Sequence, residues 1–286
     1  MAEKDHTLLR KPIIIVGAPR SGTTMMMHIF NKHPRLAMFR EPRLTWRYGN
    51  DGKSDMLQPK DARPEVCRHV RQTFAASIRE QGKERFVEKT PANALRLGFV
   101  DRIFPDCKFL HTLRHGQDSI LSYRDFWVNR THGVRRDKLR QRLRELKLRQ
   151  APYYAKELVR RMLPKRITGP NLWGPRIPGI QSMVGELDVL DICCLQWRMC
   201  VEAACHYGRS LPRDRYMEFR LEDMNLELFD SIIEFCELDD CSTMRTHFRE
   251  VYDPDTPLRR RGQADPEELE RIRRWIEPTQ QWLGYC

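Results

Sequence analysis

Apolar and polar positions repeat with two different periods along most of the chain, and these periods predict the order of its elements. The opening run Lys11-Pro-Ile-Ile-Ile-Val-Gly17 is β-branched and almost entirely apolar, as expected of a strand buried on both faces of a parallel sheet. Four further short runs predict strands at residues 36–39, 85–88, 108–113 and 215–219. Longer amphipathic stretches predict helices at residues 25–32, 64–80, 94–103, 116–129, 185–207, 226–237 and 266–282.

Alternation of strands and helices is typical of an α/β fold in which a central parallel sheet is covered on both faces. We therefore expect three layers, with a sheet of about four to five strands flanked by helices. A single domain is predicted over residues 1–286, with its core at 11–129 and 186–286. The alternation breaks at residues 130–185, where a basic stretch precedes a Pro/Gly-rich loop at 169–179. We interpret this region as a helical and loop insertion that covers the functional site.

The first strand leads into a loop with the frame of a phosphate-binding P-loop. The pattern is Gly17-x-x-x-x-Gly22-Thr23-Thr24, in which Thr23 occupies the position of the usual lysine. Loop N–H groups and the start of the following helix suit a tetrahedral anion. The lysine that bridges the terminal phosphates of ATP or GTP is missing, and Arg20 supplies a cation inside the loop instead. This exchange disfavours an ordinary nucleoside triphosphatase within a P-loop-like fold.

Composition adds a strong local excess of positive charge. The 286 residues carry 51 Lys and Arg against 39 Asp and Glu, a net charge of +12. Residues 130–166 alone hold 14 basic against three acidic residues, a local net of +11. This segment is either a solvated helix face or a docking surface for an anionic glycan, acidic peptide, membrane surface or nucleic acid. The sequence leaves both interpretations open.

The sequence disfavours a membrane-spanning, a secreted and a zinc-binding protein. Its longest apolar runs fall far short of the roughly 18 residues that cross a bilayer, and residues 1–6 lead into no secretory apolar region. We therefore expect a cytoplasmic protein whose nine cysteines are free thiols. No C-x-x-C pair is present, and Cys193, Trp197, Cys200 and Ala204 share one helical face. We expect that face to pack in the core rather than bind zinc.

Several motifs together resemble one enzyme family. Pro19-Arg-Ser-Gly-Thr-Thr24 is similar to the 5′-phosphosulfate loop of sulfotransferases that use 3′-phosphoadenosine-5′-phosphosulfate (PAPS). It is most similar to the loop of tyrosylprotein sulfotransferases and related bacterial enzymes. The resemblance continues at His33-Pro34, Glu41-Pro42, residues 88–91 and residues 108–122, with weaker matches at 216–219 and 282–285. These blocks cover well under half of the chain.

The resemblance implies a role for each matching residue. The loop residues would bind the 5′-phosphosulfate, namely Pro19, Arg20, Ser21, Gly22, Thr23 and Thr24. Arg114 and Ser122 match the residues that bind the 3′-phosphate, and an arginine followed by a hydroxyl suits that group chemically. Glu41 matches the general base. Lys89 and Arg20 match the cations that stabilise charge on the bridging oxygen as the donor departs.

Each of these roles has a rival among nearby residues. Glu41 could instead form a salt bridge with Arg40, Arg43 or Arg47, and Lys89 could pair with Glu88. His33 and His115 are alternative bases, although His33 before Pro34 is better placed to shape a helix end.

Arg124 and the run Arg259 to Arg261 are further candidates for contact with the nucleotide. The family's further arginine on the helix after Arg114 falls near Phe126 in this chain, so Arg124 is the candidate replacement. Arg259-Arg260-Arg261-Gly262 either closes over the nucleotide or forms a solvated turn.

The resemblance implies transfer of a sulfuryl group from PAPS to a hydroxyl by in-line displacement, with 3′,5′-bisphosphoadenosine (PAP) as product and without a metal. The acceptor hydroxyl belongs to a carbohydrate, a phenol or tyrosine, or a lipid headgroup, and the basic segment favours an anionic acceptor. Two alternatives remain. A P-loop kinase or hydrolase would need Mg²⁺ and a loop lysine, and a non-enzymatic binder of anionic polymers or membrane surfaces would rest on residues 130–166. Nucleic acid is the least favoured partner.

Overall fold

Strand β1 lies at the centre of a parallel sheet, in a computed structural model that describes residues 7–129, 145–162, 174–184 and 186–285. Across these residues the strand order is β2-β3-β1-β4-β5, and every neighbouring pair is parallel. The predicted α/β fold, with a central parallel sheet between helical layers, is confirmed. The strands are β1 (Ile13–Val16), β2 (Leu36–Arg40), β3 (Arg85–Lys89), β4 (Lys108–Leu113) and β5 (Tyr216–Arg220).

The helices follow the predicted alternation closely. Those over 64–80 and 266–282 begin and end where the sequence predicts them, whereas the predicted 94–103 helix is divided into a 3₁₀ turn at Pro91–Leu95 and a shorter α-helix. The described helices are α1 (Thr23–Phe30), α2 (Arg43–Arg47), α3 (Pro64–Glu80), α4 (Leu97–Ile103), α5 (Gly116–Val128), α6 (Ala151–Met162), α7 (Ile180–Met183), α8 (Val189–Gly208), α9 (Leu226–Phe235), α10 (Ser242–Val251) and α11 (Pro266–Trp282).

Outside the insertion, two short helices in the described part of the chain were not predicted, and each lacks the signal that prediction needs. Helix α2 spans only five residues, which is too short to display a helical period. Helix α10 buries only Met244 and Phe248, so its apolar stripe is sparse. Both helices are held by packing against neighbouring elements rather than by a strong local pattern.

The two faces of the sheet bury separate apolar clusters. On β1, Ile14 and Val16 belong to one cluster, and Ile13 and Ile15 belong to the other, because successive side chains of a strand point to opposite faces. The first cluster includes the α8 face of Cys193, Trp197, Cys200 and Ala204, all of which are buried. The expected core packing of that face is therefore confirmed.

The insertion predicted at 130–185 and its basic stretch lie partly outside the described residues. The described part comprises a 3₁₀ turn at Leu148–Gln150, α6 and α7. In the described ranges, no helix combines the length and the apolar character that crossing a bilayer requires.

Glu88 joins the end of β3 to two neighbouring elements from inside the core. Its carboxylate is fully buried and accepts hydrogen bonds from the Trp46 indole on α2 (3.1 Å), from the Asn93 side-chain amide (2.8 Å) and from the Thr90 hydroxyl. Burial raises the pKa of Glu88 to about 7, against the opposing effect of the hydrogen bonds from Thr90 and Trp46. The carboxyl group therefore changes charge near neutral pH.

This buried carboxyl predicts a pH-dependent contribution to stability. The ordinary pKa is 4.5 and the folded value is about 7, so between these values the native state holds a proton that the unfolded chain has lost. The unfolding free energy of the wild type, relative to Glu88→Gln, is expected to fall as pH rises from about 4.5 to about 7 and to level off above 7. Denaturant unfolding at several pH values measures this difference. A ¹³C-carboxyl titration checks the midpoint directly, with the resonance assigned by its loss in Glu88→Gln. A midpoint near 4.5 would contradict the assignment.

Candidate active site

The loop after β1 is shaped by close approach of the backbone to neighbouring elements. A Cβ atom on Gly17 would lie 2.6 Å from the carbonyl oxygen of Thr112, and one on Gly22 would lie 2.8 Å from a methyl carbon of Leu221. Gly22 also has a φ of 88°, in the left-handed region that favours glycine. The two glycines of the P-loop frame are therefore required by contact and by conformation.

Helix α1 begins with backbone amides that have no acceptor within the helix. The amide of Met26 donates to the carbonyl oxygen of Gly22 at 3.1 Å, so the amides of Thr23, Thr24 and Met25 precede the first intrahelical bond. Thr24 is exposed, whereas Thr23 is buried. An anion at this point meets free N–H groups and the positive end of the helix.

Ser21 closes the loop from within. Its side chain is buried, and its hydroxyl donates to the carbonyl oxygen of Ala18 at 2.7 Å. The amide of Ser21 donates to the same carbonyl at 3.2 Å. Of the hydroxyl groups predicted to line the loop, that of Ser21 therefore stabilises the turn itself.

Arg20 and Ser122, predicted to serve opposite ends of the nucleotide, lie side by side. Arg20 has a left-handed φ of 70°, which is uncommon for a residue with a side chain. Its Nε donates to the hydroxyl oxygen of Ser122 at 3.0 Å, and its guanidinium lies 5.3 Å above the centre of the Phe126 ring. Ser122 and Phe126 are one helical turn apart on α5.

Arg114 joins the P-loop to a later segment of the chain. Its buried guanidinium donates to the carbonyl oxygens of Arg20 (3.0 Å), Thr256 (3.0 Å) and Pro257 (2.8 and 3.1 Å). Burial lowers the pKa of Arg114. The predicted 3′-phosphate residue thus lies directly against the predicted 5′-phosphosulfate loop, as a single nucleotide requires.

The segment after Pro257 is fastened to the first turn of α5. The buried carboxylate of Asp118 accepts hydrogen bonds from the backbone amides of Arg260 and Arg261, each at 3.0 Å. Arg259 pairs with Asp253 at 2.9 Å. This part of the Arg259–Arg261 turn therefore lies beside Arg114 and the loop.

Arg124, the candidate replacement for a missing family arginine, is engaged with acidic side chains. It forms ion pairs with Asp125 at 2.8 Å and with Glu268. Asp125 also pairs with Arg260 at 2.7 Å. These contacts tie α5 to the Arg259–Arg261 turn and to α11.

Glu41 and Lys89 meet where β2 and β3 end. The Lys89 ammonium, only 2% exposed, donates to Oε1 of Glu41 at 2.8 Å, and Arg43 donates to Oε2 at 2.8 Å. The Glu41 backbone has a left-handed φ of 54°, and its amide donates to the carbonyl oxygen of Lys89 at 3.0 Å. A constrained backbone therefore holds the carboxylate between two cations.

A cavity lies between Glu41 and the P-loop. It is bounded by loop residue Pro19, by the segments that follow β2 and β3, and by two residues of the predicted insertion. Its lining residues are Pro19, Glu41, Arg43, Arg47, Asp55, Thr90, Pro91, Ala92, Arg96, Gly174 and Pro175.

One wall of this cavity contains a buried ionic cluster around Asp55. Arg47 donates to both carboxylate oxygens of Asp55 at 3.0 Å, and the Arg176 amide donates at 2.8 Å. Arg96 lies 3.7 Å away. Burial acts to raise the pKa of Asp55, but the charges of Arg47, Arg96 and Arg176 outweigh it and hold that pKa well below its usual range. No local sequence pattern indicates this cluster, because Arg96 and Arg176 come to Asp55 from distant parts of the chain.

Among the alternative bases, His33 is occupied by backbone contacts. Its Nε2 lies 2.7 Å from the carbonyl oxygen of Asp239, and its Nδ1 accepts from the amide of Arg35 at 3.2 Å. Burial is the largest effect lowering the pKa of His33. These contacts fit the predicted role of shaping the chain after α1.

His115, the second alternative base, is buried on the side of the site opposite Glu41, next to Arg114. Its Nε2 lies 3.3 Å from the side-chain amide of Gln280. Burial, followed by the charges of Arg261 and Arg114, lowers the pKa of His115 to about 4. The group is therefore neutral at physiological pH.

One group of possible metal ligands lies away from this site, in the described part of the chain. The ligand atoms of His111, Cys205 and Glu218 lie within 4.8 Å of one another. The hydroxyl of Tyr216 lies 2.7 Å from Nδ1 of His111 and 2.9 Å from Glu218, and Arg209 donates three hydrogen bonds to the same carboxylate. These contacts occupy Nδ1 of His111 and the Glu218 carboxylate, whereas Nε2 of His111 is buried without a hydrogen-bond partner in the described part of the chain.

Comparisons with known proteins agree on the family. The family model described as "Sulfotransferase family" matches residues 12–171, more than half of the chain. A putative protein-tyrosine sulfotransferase of Caenorhabditis briggsae is 30% identical over 118 residues, which are 38% of this chain and 41% of that protein. Nodulation protein NoeE of Sinorhizobium fredii is 26% identical over 129 residues, which are 40% of this chain and 31% of that protein. The chain therefore spans less than half the length of these relatives.

Solved sulfotransferase structures share the fold. The sulfotransferase domain of a Synechococcus olefin synthase superposes with a TM-score of 0.51 at 17% identity, over 94% of this chain and 96% of that domain. Sulfotransferase STF9 of Mycobacterium avium superposes with a TM-score of 0.55 at 10% identity, over 98% of this chain and 78% of that protein. With the P-loop, the parallel sheet and the family match in agreement, the chain belongs to the sulfotransferase family.

Proposed function

We propose that this protein transfers a sulfuryl group from PAPS to a hydroxyl group. The observation that carries the proposal is the order of functional groups along one edge of the sheet. Glu41 follows β2, Lys89 ends β3, the P-loop follows β1 and Arg114 follows β4, and these four strands are consecutive neighbours. Parallel strands end at a common edge of the sheet. The proposed proton acceptor (Glu41), the proposed cation (Lys89) and the anion-binding loop therefore share one continuous surface.

The P-loop and α5 form the nucleotide side of the proposed site. The first amides of α1, with Pro19 to Thr24, would hold the phosphosulfate end of the donor, and Arg20 adds a fixed positive charge. Ser122 and Arg114 would hold the 3′-phosphate. Arg114 already touches the loop carbonyl of Arg20 at 3.0 Å, so both anionic ends of one nucleotide fall within this surface.

Glu41 and Lys89 form the acceptor side. In the proposed reaction the acceptor oxygen forms a new bond to sulfur while the bond from sulfur to the bridging phosphate oxygen breaks, and Glu41 takes the hydroxyl proton. Lys89 stabilises the negative charge that develops on the bridging oxygen. The Lys89 ammonium lies 2.8 Å from Oε1 of Glu41. When Lys89 moves toward the donor, it therefore also frees the carboxylate oxygen that receives the proton.

The cavity beside Glu41 is the proposed entrance for the acceptor. Arg43, Arg47 and Arg96 line it together with two carboxylates, Glu41 and Asp55, which leaves cations in excess. This excess supports an acceptor that carries negative charge next to its hydroxyl. The name of the Caenorhabditis briggsae relative refers to protein tyrosine, and tyrosine, other phenols, carbohydrates and lipid headgroups are the acceptor classes to compare.

An assay with labelled PAPS tests the proposed reaction. The protein is incubated with PAPS carrying ³⁵S and with panels of acidic and neutral tyrosine peptides, phenols, glycans and lipid headgroups, with and without EDTA. Label is expected to transfer to at least one hydroxyl acceptor, at a rate that EDTA does not change. In parallel, calorimetry is expected to show binding of PAP and none of comparable strength for ATP with Mg²⁺. Binding of ATP and Mg²⁺ without PAP would favour the kinase or hydrolase alternative and contradict the proposal.

Variants at the edge of the sheet separate chemistry from nucleotide binding. Glu41→Gln is expected to lower kcat by about 10²- to 10⁴-fold while PAP affinity stays within about twofold, because it removes only the base. Lys89→Ala is expected to lower kcat/KM by about 10²-fold or more, and Arg20→Ala to weaken PAP binding as well. Initial rates and calorimetry measure these effects. Full turnover in Glu41→Gln would remove the proposed base.

A further inference from the structure

Arg20 differs from the arginines around it in what holds it. Within the described residues, Arg43 pairs with Glu41, Arg260 pairs with Asp125 and Arg261 pairs with Asp118. The described contacts of the Arg20 guanidinium are a hydroxyl and an aromatic face instead. Arg20 therefore resembles Arg114, which is held by backbone carbonyls, in that no carboxylate pairs with it among the described residues.

The supporting groups come from one face of α5. Ser122 and Phe126 are four residues apart, a spacing that places two side chains one above the other on a helix. The Ser122 hydroxyl accepts from Nε at 3.0 Å, and the Phe126 ring lies 5.3 Å below the guanidinium carbon. Together they contact Arg20 at two points and fix the direction of its side chain.

The Phe126 side chain is unusually exposed for an aromatic residue in this fold. It is 40% exposed, whereas most of the large apolar side chains lie buried in the core. An aromatic face attracts a cation through its quadrupole and carries no net charge. A carboxylate in the same place would attract Arg20 more strongly but would also repel an incoming anion.

The Phe126 ring also matters because a second cation, Arg260, lies near Arg20. Packing around the guanidinium, and then the charge of Arg260, lower the pKa of Arg20. The repulsion from Arg260 would drive a flexible Arg20 side chain outward into solvent. A support that adds no negative charge keeps Arg20 over the loop against that repulsion.

We infer that Phe126 is a positioning residue, whose ring holds the Arg20 guanidinium over the P-loop through a cation–π contact so that its full charge remains available to the anionic end of the donor. The inference rests on the proposed function for the identity of that anion. It deepens that proposal, because it assigns a role to a phenylalanine near the place where the family resemblance implies a further arginine on this helix.

Three variants of α5 test this role by nucleotide affinity. Phe126→Leu keeps an apolar side chain but removes the aromatic face, and is expected to weaken PAP binding by about 3- to 10-fold. Phe126→Tyr restores the face and is expected to bind PAP within about twofold of the wild type. Val128→Ala is the matched control, since Val128 is a more exposed apolar residue on the same helix, and is expected to change nothing. In an Arg20→Ala background, Phe126→Leu is expected to add no further loss.

A spectroscopic measurement tests the contact without any nucleotide. In protein labelled with ¹⁵N-arginine, the Nε–Hε signal of Arg20 is assigned by its loss in Arg20→Lys. Its ring-shifted resonance is expected to move toward the ordinary arginine position in Phe126→Leu and to stay in place in Phe126→Tyr. An unmoved signal together with unchanged PAP affinity in Phe126→Leu would overturn the inference, as would equal losses in the Leu and Tyr variants. If the wild type binds no PAP, the proposed function fails, and the spectra alone then decide whether Phe126 holds Arg20.

Discussion

The common carboxyl edge of four parallel strands is the constraint on which the site depends. The parallel register of β2, β3, β1 and β4 brings their carboxyl ends to one edge, within two residues of one another. Groups separated by more than 70 residues, such as Arg20 and Arg114, therefore meet there. β1 makes this possible because it is buried on both faces and anchors two apolar clusters. The chemistry is therefore positioned by backbone pairing, and the side chains only complete it.

The acceptor side and the nucleotide side of the site differ in how their cationic side chains are held. On the acceptor side, cations are paired with carboxylates and still exceed them, as in the contact of Glu41 with Lys89 and in the three arginines around Asp55. On the nucleotide side, Arg114 is held by backbone carbonyls and Arg20 by a hydroxyl and a ring. Neutral supports leave positive charge available where a nucleotide with two anionic ends would bind. Paired supports hold side chains in place where an acceptor must be oriented.

The sequence predicted all five strands of the described sheet, because short runs with buried apolar residues alternate with longer helical stretches. It predicted the loop from the spacing of its glycines. The structure shows why glycine is needed there, because Gly17 lies close to the carbonyl oxygen of Thr112 and Gly22 lies close to Leu221. The sequence did not decide the partner of Lys89, and Glu88 was a rival to Glu41. The structure pairs Lys89 with Glu41 because consecutive strand residues point to opposite faces, which sends Glu88 into the core. The Asp55 cluster and the carbonyl contacts of Arg114 arise only from tertiary packing, so no local pattern predicted them.

A crystal structure with PAP bound would show whether this edge of the sheet binds a single adenosine bisphosphate. We expect the 5′-phosphate within hydrogen-bond distance of amides between residues 20 and 24, the 3′-phosphate in contact with Arg114 or Ser122, and Lys89 facing the 5′ end. A nucleotide bound elsewhere, or one that reaches only one of the two phosphate seats, would contradict this expectation.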